Sequence, residues 1–122
     1  MATLVTKLTL TSSNATSDTL NLSQTDTLTT ANPTQGLTRV SITSGNSLTV
    51  VAAGDAGSVY LYAKNTNTSG TGKLILANAA GQGFGVLNND EFAFFPIDRA
   101  KGFNFEANTA DVVVEYGYFT KG

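Results

Sequence analysis

Hydrophobic side chains recur at every second position over much of this chain, and two residues is the period of a β-strand. In the first quarter of the chain the period is carried by Leu4, Leu8 and Leu10 and then by Leu20 and Leu22, with Thr and Ser between them. Threonine favours strands because its branched Cβ packs well on a pleated surface. The pattern therefore predicts an ordered, half-exposed sheet here rather than a disordered tail.

The alternation and the turn residues together predict nine strands, at residues 4–10, 19–22, 38–43, 47–51, 58–64, 73–78, 91–95, 103–107 and 112–120. Residues 77–85 carry three glycines and are predicted to be a loop with at most one helical turn. Short strands at regular spacing without a long amphipathic helix are typical of sandwiches. We expect an all-β, single-domain antiparallel β-sandwich, either jelly-roll-like or immunoglobulin-like.

The composition changes near the middle of the chain. Fourteen of the nineteen threonines lie in the first fifty residues, whereas all eleven aromatic residues lie from Tyr60 onwards. A chain of 122 residues is long enough for one domain with its own core. We expect one sandwich domain over residues 1–122, with a Thr- and Ser-rich N-terminal segment, about residues 1–30, available as an interaction arm.

The phenylalanine-rich segment before Pro96 is apolar on both sides of the predicted strand. Phe92 and Phe94 have one parity, and Ala93 and Phe95 have the other. A strand with this pattern needs cover on both faces. Because a small domain has little material for a second layer, the pattern favours cover by a neighbouring subunit.

Charge and cysteine content exclude several classes of partner and site. Seven basic residues stand against nine acidic ones, and no basic cluster forms. We therefore expect no direct nucleic-acid partner and no membrane partner. No cysteine is present, so disulfides and thiolate metal sites are excluded. The N-terminus has no signal-peptide pattern, so we expect a complete chain that folds in the cytosol.

The residue types that carry chemistry are sparse. Histidine is absent, and the densest acidic pair, Asp90 and Glu91, sits in a predicted turn. The glycine-rich stretch at residues 81–85 leads into a strand rather than a helix, so it lacks the setting of a phosphate loop. The sequence predicts no enzymatic activity, no cofactor and no metal, although the oxygens of residues 88–91 are of the type that calcium takes.

Two pairs of tyrosines offer a platform for a sugar ring. Tyr60 and Tyr62 form one pair, and Tyr116 and Tyr118 form the other. Aromatic side chains on one face of a strand more often belong to the core, because they bury large areas and pair across sheets. Core packing is the favoured interpretation of both pairs.

Several motifs in the second half resemble the small virion structural proteins of marine tailed phages. The likeness covers residues 58–120 and is carried by residues 60–66 (Tyr-Leu-Tyr-Ala-Lys-Asn-Thr), 90–96 (Asp-Glu-Phe-Ala-Phe-Phe-Pro), 107–110 and 113–118. The threonine-rich opening at residues 8–18 is similar to the openings of such chains. These motifs are structural rather than chemical.

The resemblance implies a capsid decoration or cement protein, located on the capsid surface of a virion assembled in the host cytoplasm. The implied partners are the major capsid protein or another virion protein, and copies of the chain itself, with a trimer favoured. The alternatives are a subunit associated with the tail, neck or fibre, and a carbohydrate-binding adhesive module.

Six residues are candidates for interface contacts. Leu4, Leu8 and Leu10 belong to the N-terminal segment, for which we expect contact with the capsid or with a neighbouring protomer. Residues 95–97, which are Phe95, Pro96 and Ile97, are expected to help form the oligomer interface.

Overall fold

A computed structural model of the protein describes residues 2–30, 37–54 and 58–121. These residues form strands and no helix. The strands are β1 (Ala2–Ser12), β2 (Leu20–Thr30), β3 (Thr38–Ile42), β4 (Ser47–Val51), β5 (Ser58–Asn65), β6 (Lys73–Ala77), β7 (Gly83–Leu87), β8 (Phe92–Asp98), β9 (Phe103–Asn108) and β10 (Val112–Thr120). The chain divides into two compact units, residues 1–32 with residue 122, and residues 33–121.

The first unit is a long antiparallel hairpin of β1 and β2. Its register runs without a break from Ala2 opposite Thr30 to Ser12 opposite Leu20. The predicted second strand ended at Leu22, which is too early. The strand continues to Thr30 because alternating threonines keep the pairing with β1 along its full length.

The second unit is an eight-stranded antiparallel sandwich. One sheet has the order β3-β10-β5-β8 and the other has the order β4-β9-β6-β7. The pairs β3–β10, β4–β9, β5–β8 and β6–β7 are nested in sequence, as in a long hairpin rolled over into two sheets. This nesting is the jelly-roll arrangement, so the all-β sandwich prediction is confirmed and the immunoglobulin-like alternative is not adopted.

The core lies between the two sheets. Phe103 and Phe105 of β9 are fully buried, and their rings meet edge to face with centroids 5.0 Å apart. On β10, Val112 and Val114 are fully buried, and Tyr116 packs against Phe105 with centroids 5.5 Å apart. The two-residue period of this strand predicts that Val112, Val114 and Tyr116 share its core face, and the structure confirms it because all three point inward.

Strand β7 corrects the sequence analysis, which predicted a loop at this position. Gly83 and Gly85 lie in an edge strand beside β6. A Cβ on Gly83 would stand 3.1 Å from Ile75 Cγ2, and one on Gly85 would stand 3.3 Å from Leu76 Cδ1. The glycines allow the strand to approach bulky neighbours closely, which is a role that local propensity does not reveal.

We expect Gly102→Ala to destabilise the sandwich far more than Gly81→Ala. Both glycines have positive φ, 72° and 85°. A Cβ at Gly102 would lie 2.7 Å from the Val51 carbonyl oxygen, whereas the space around Gly81 is open. The expected losses in free energy of unfolding are about 3 kcal/mol or more for Gly102→Ala and about 1 kcal/mol for Gly81→Ala. Chemical denaturation measures both, and equal losses would contradict the tight packing of this turn.

Candidate interaction surface

The outer face of the sheet β3-β10-β5-β8 carries a group of exposed and half-buried rings, here called the aromatic surface. Its members share the outward parity of three neighbouring strands; they are Tyr60, Tyr62, Phe92, Phe94, Pro96 and Phe119. Phe92 is 67% exposed and Phe94 is 39% exposed. Large apolar side chains in such a group, rather than singly, are characteristic of interaction sites.

The register of the strands brings these side chains together. Tyr60 is directly opposite Pro96 on one side and Phe119 on the other, while Tyr62 is opposite Phe94. The rings of Tyr60 and Phe94 stack with centroids 5.8 Å apart and planes 19° from parallel. Stacking of this kind restrains both rings, so the surface is pre-organised for contact.

A polar cluster borders the aromatic surface. Arg39 Nε donates to Glu115 Oε2 at 3.1 Å, and the Tyr62 hydroxyl donates to Glu115 Oε1 at 3.2 Å. Burial, followed by the hydrogen bond to Glu115 and its negative charge, raises the pKa of the Tyr62 phenol. The guanidinium of Arg39 is largely exposed, so this ion pair contributes little to stability. It orients the tyrosine at the edge of the apolar rings.

Strand β8 is the edge of its sheet, and its central proline limits how a partner approaches. Pro96 has no backbone N–H to offer a further strand. Strand addition along β8 is therefore disfavoured at this point. A partner gains more by covering the side chains of the outer face.

The structure separates the three candidate interface residues of β8. Pro96 faces outward and is exposed, whereas Phe95 and Ile97 face inward and pack against the core. Phe95 and Ile97 line a cavity of about 260 Å³ that also contacts Phe84 and Phe103. The outward residues Phe92 and Phe94 were not among the candidates, although the apolar character of both parities was the signal that pointed to them.

The candidates Leu4, Leu8 and Leu10 lie on one face of the hairpin. This face, here called the leucine face, is completed by residues of equal parity on β2 and consists of Leu4, Leu8, Leu10, Leu20, Leu22 and Leu28. Leu8 is 49% exposed and Leu10 is 44% exposed. Thr6, Gln24 and Asp26 have the same parity and interrupt the leucine face, while the opposite face is mostly threonine.

The two tyrosine pairs differ in their surroundings. Tyr60 and Tyr62 face outward, and Tyr116 and Tyr118 pack against the core.

The turn at residues 88–91 is closed by the Glu91 amide, which donates to the Asn88 carbonyl oxygen at 3.1 Å. Among the described residues, no three acidic side chains gather in a group that could hold a metal ion. Nor does the described part of the chain contain a helix able to cross a membrane.

Comparison with protein-family models, with curated proteins and with solved structures finds no match to this chain.

We expect Glu115→Gln to lower the pKa of the Tyr62 phenol toward its ordinary value. The introduced glutamine side chain keeps an acceptor oxygen for the Tyr62 hydroxyl, but it lacks the negative charge that opposes ionisation of the phenol. An alkaline absorbance titration measures the change, and Tyr62→Phe identifies the transition. An unchanged titration in the Glu115→Gln variant would contradict the coupling.

The same shift predicts how stability depends on pH. The folded state holds the phenol protonated, whereas the unfolded phenol ionises near pH ~10. The stabilisation by neutral Tyr62 is therefore complete below that pH and is lost as the pH rises through the folded pKa. Denaturation across the alkaline range should show a smaller decline for Tyr62→Phe than for the wild-type protein.

Proposed function

We propose that the protein is a non-enzymatic structural subunit of a tailed-phage particle that decorates the outer surface of the capsid. The observation that carries the proposal is the exposed aromatic surface on a rigid jelly roll, with Phe92 67% exposed. A surface of this kind favours a role in which binding area, rather than a reactive group, is the functional feature.

The aromatic surface is the part of the sandwich that gains most from a protein partner. Full burial of an exposed phenylalanine side chain contributes about 1.5–3 kcal/mol. Phe92 is 67% exposed and Phe94 is 39% exposed, so together they offer about as much as one exposed phenylalanine, about 1.5–3 kcal/mol. Association of two proteins costs more than this in lost translational and rotational freedom, about 4 kcal/mol at least. A single contact of this size is therefore weak, and repeated contacts within an oligomer make it effective.

We assign the aromatic surface to contacts between copies of the chain, with a trimer favoured. This assignment replaces Phe95 and Ile97, which face the core, with Phe92 and Phe94, and it retains Pro96. Trimers match the threefold and quasi-threefold axes of a capsid lattice. An oligomer also multiplies the number of attachment points on the shell, which raises the effective affinity of each.

The leucine face is assigned to the contact with the major capsid protein. A two-stranded hairpin is marginally stable in water unless its apolar face is covered. Leu8 and Leu10 each leave nearly half of their surface exposed. Burial of these leucines against a lattice subunit both stabilises the hairpin and supplies an attachment point.

Two further arguments support a virion role. Jelly rolls recur in viral capsid proteins and in lectins. The motifs that resemble phage virion proteins cover β5 to β10, including the Phe-rich strand β8.

The alternative position, on the tail, neck or fibre, predicts only a few copies in each particle. Capsid decoration predicts a copy number comparable with that of the major capsid protein, and quantitative mass spectrometry of purified particles measures it.

We expect the double variant Phe92→Ser and Phe94→Ser to lose self-association. Light scattering after size-exclusion chromatography should give an oligomer for the wild-type protein and a monomer for the variant. Val86→Thr is the matched control, because Val86 is 45% exposed on the other sheet. A wild-type protein that stays monomeric at every concentration, or a variant that still assembles, would refute the assignment.

Attachment to particles is tested on the hairpin. We expect Leu8→Thr combined with Leu10→Thr to reduce co-sedimentation of the full-length protein with particles that lack it, by about tenfold or more in affinity. Val5→Thr is the control, because Val5 is 62% exposed on the opposite face of the same hairpin. Equal binding by both variants would remove the leucine face from the proposal.

A further inference from the structure

An open cavity of about 460 Å³, whose lining surface is about equally polar and apolar, lies at one end of the sandwich. It is bordered by the β5–β6 connection, the β7–β8 turn and the β9–β10 turn. Its lining consists of Gly70, Thr71, Gly72, Lys73, Asn88, Asn89, Glu91 and Thr109. No member of the aromatic surface is among these residues, so the cavity is a separate feature of the sandwich.

The fully buried side chain of Asn65 joins two of the cavity's walls. Its Nδ2 donates to the carbonyl oxygens of Leu87 at 3.0 Å and Gly72 at 3.4 Å. Its Oδ1 accepts from the Asn67 amide at 3.0 Å. One amide group therefore ties the β5–β6 connection to the end of β7. A buried polar group that is fully partnered in this way fixes the geometry around it.

Two further amide side chains fix the remaining connections. Asn67 Nδ2 donates to the Asp111 carbonyl oxygen at 3.0 Å, and Asn67 Oδ1 accepts from the Val113 amide at 3.1 Å. Asn89 Nδ2 donates to the Gly70 carbonyl oxygen at 3.1 Å. All three connections are thus cross-linked, and the cavity is preformed, as ligand pockets usually are.

Backbone strain is concentrated at the same cavity. Asp90 and Thr109 are the non-glycine residues with positive φ in the described part of the chain, at 63° and 73°. Thr109 lines the cavity, and Asp90 stands between Asn89 and Glu91, which also line it. The Asp90 amide holds its position by donating to the carbonyl oxygens of residues 65 and 67. Strain of this kind tends to persist where a binding site requires it.

The lining indicates the class of ligand. Thr71, Lys73, Asn88 and Thr109 make no side-chain hydrogen bond or ion pair with other described residues, so their polar atoms are available. The single ammonium of Lys73 and the single carboxylate of Glu91 cancel in charge. No aromatic or aliphatic side chain lines the cavity. Because the two charges of the lining cancel, neither an anion nor a cation is favoured, and the available polar atoms favour a neutral ligand that is rich in hydrogen-bonding groups.

We propose that this cavity binds a neutral saccharide unit of about the size of one hexose. A hexose presents many hydroxyl groups that both donate and accept, which matches alternating hydroxyl, amide, ammonium and carboxylate partners. The cavity volume lies in the range of small-molecule pockets, about 300–1,000 Å³. This site shares no residue with the aromatic surface or the leucine face, so its test is independent of the proposed role in the particle.

Amide NMR spectra of the full-length protein, titrated with glucose, galactose, mannose and N-acetylglucosamine, test the proposal. We expect at least one of these sugars to shift the amide signals of residues 70–73, 88–91 and 109–110, with a dissociation constant in the millimolar range. Lys73→Ala should weaken binding about tenfold or more, because one charge-assisted hydrogen bond is lost.

Lys101→Ala is the matched control and should bind as the wild-type protein does, since Lys101 does not line this cavity. Thr71→Val is a second variant that removes a hydroxyl while keeping the shape of the side chain. Two results would overturn the proposal: no response to any of the four neutral sugars, or shifts confined to the aromatic surface. Weakening by Lys101→Ala equal to that by Lys73→Ala would also count against it.

Discussion

The fixed register between β5 and β8 is the constraint on which the outer surface of the sandwich depends. Leu61 is fully buried opposite Phe95, so Phe95 points toward the core. Because successive side chains on a strand alternate between faces, Phe94 must then point away from the core. A shift of one residue would expose Phe95 and Ile97 and bury Phe94 instead. The same hydrogen-bonded pairing thus creates both the core and the exposed rings.

The connections around the cavity, at one end of the sandwich, are stabilised by hydrogen bonds rather than by apolar packing. They are held by amide side chains that bond to backbone groups. Asn65, Asn67 and Asn89 together satisfy carbonyl and amide groups on three separate connections. This network sustains the left-handed backbone of Asp90 and Thr109. Rigid connections around this open cavity are the physical basis of the proposed saccharide site.

The hairpin is the part of the molecule that most needs a partner. The sandwich encloses its core between two sheets, whereas a two-stranded ribbon has only one layer. Six of its eleven residue pairs lie on the leucine face, and the six leucines of that face belong to four of those pairs. The proposed role in attachment would account for this imbalance, because a partner would supply the missing layer. The aromatic surface likewise leaves apolar side chains, Phe92 and Phe94, exposed.

The sequence by itself determined the all-β class, most strand positions and the inward parity of the last strand, because the two-residue period and the turn residues are local signals. It did not reveal β7, because Gly83 and Gly85 owe their conformation to contacts with Ile75 and Leu76. Only the tertiary structure decided the jelly-roll order, the inward direction of Phe95 and the gathering of Lys73, Asn88 and Thr109 around one cavity. Each of these depends on pairing between strands far apart in the chain, and alternation along a single strand carries no information about its partner.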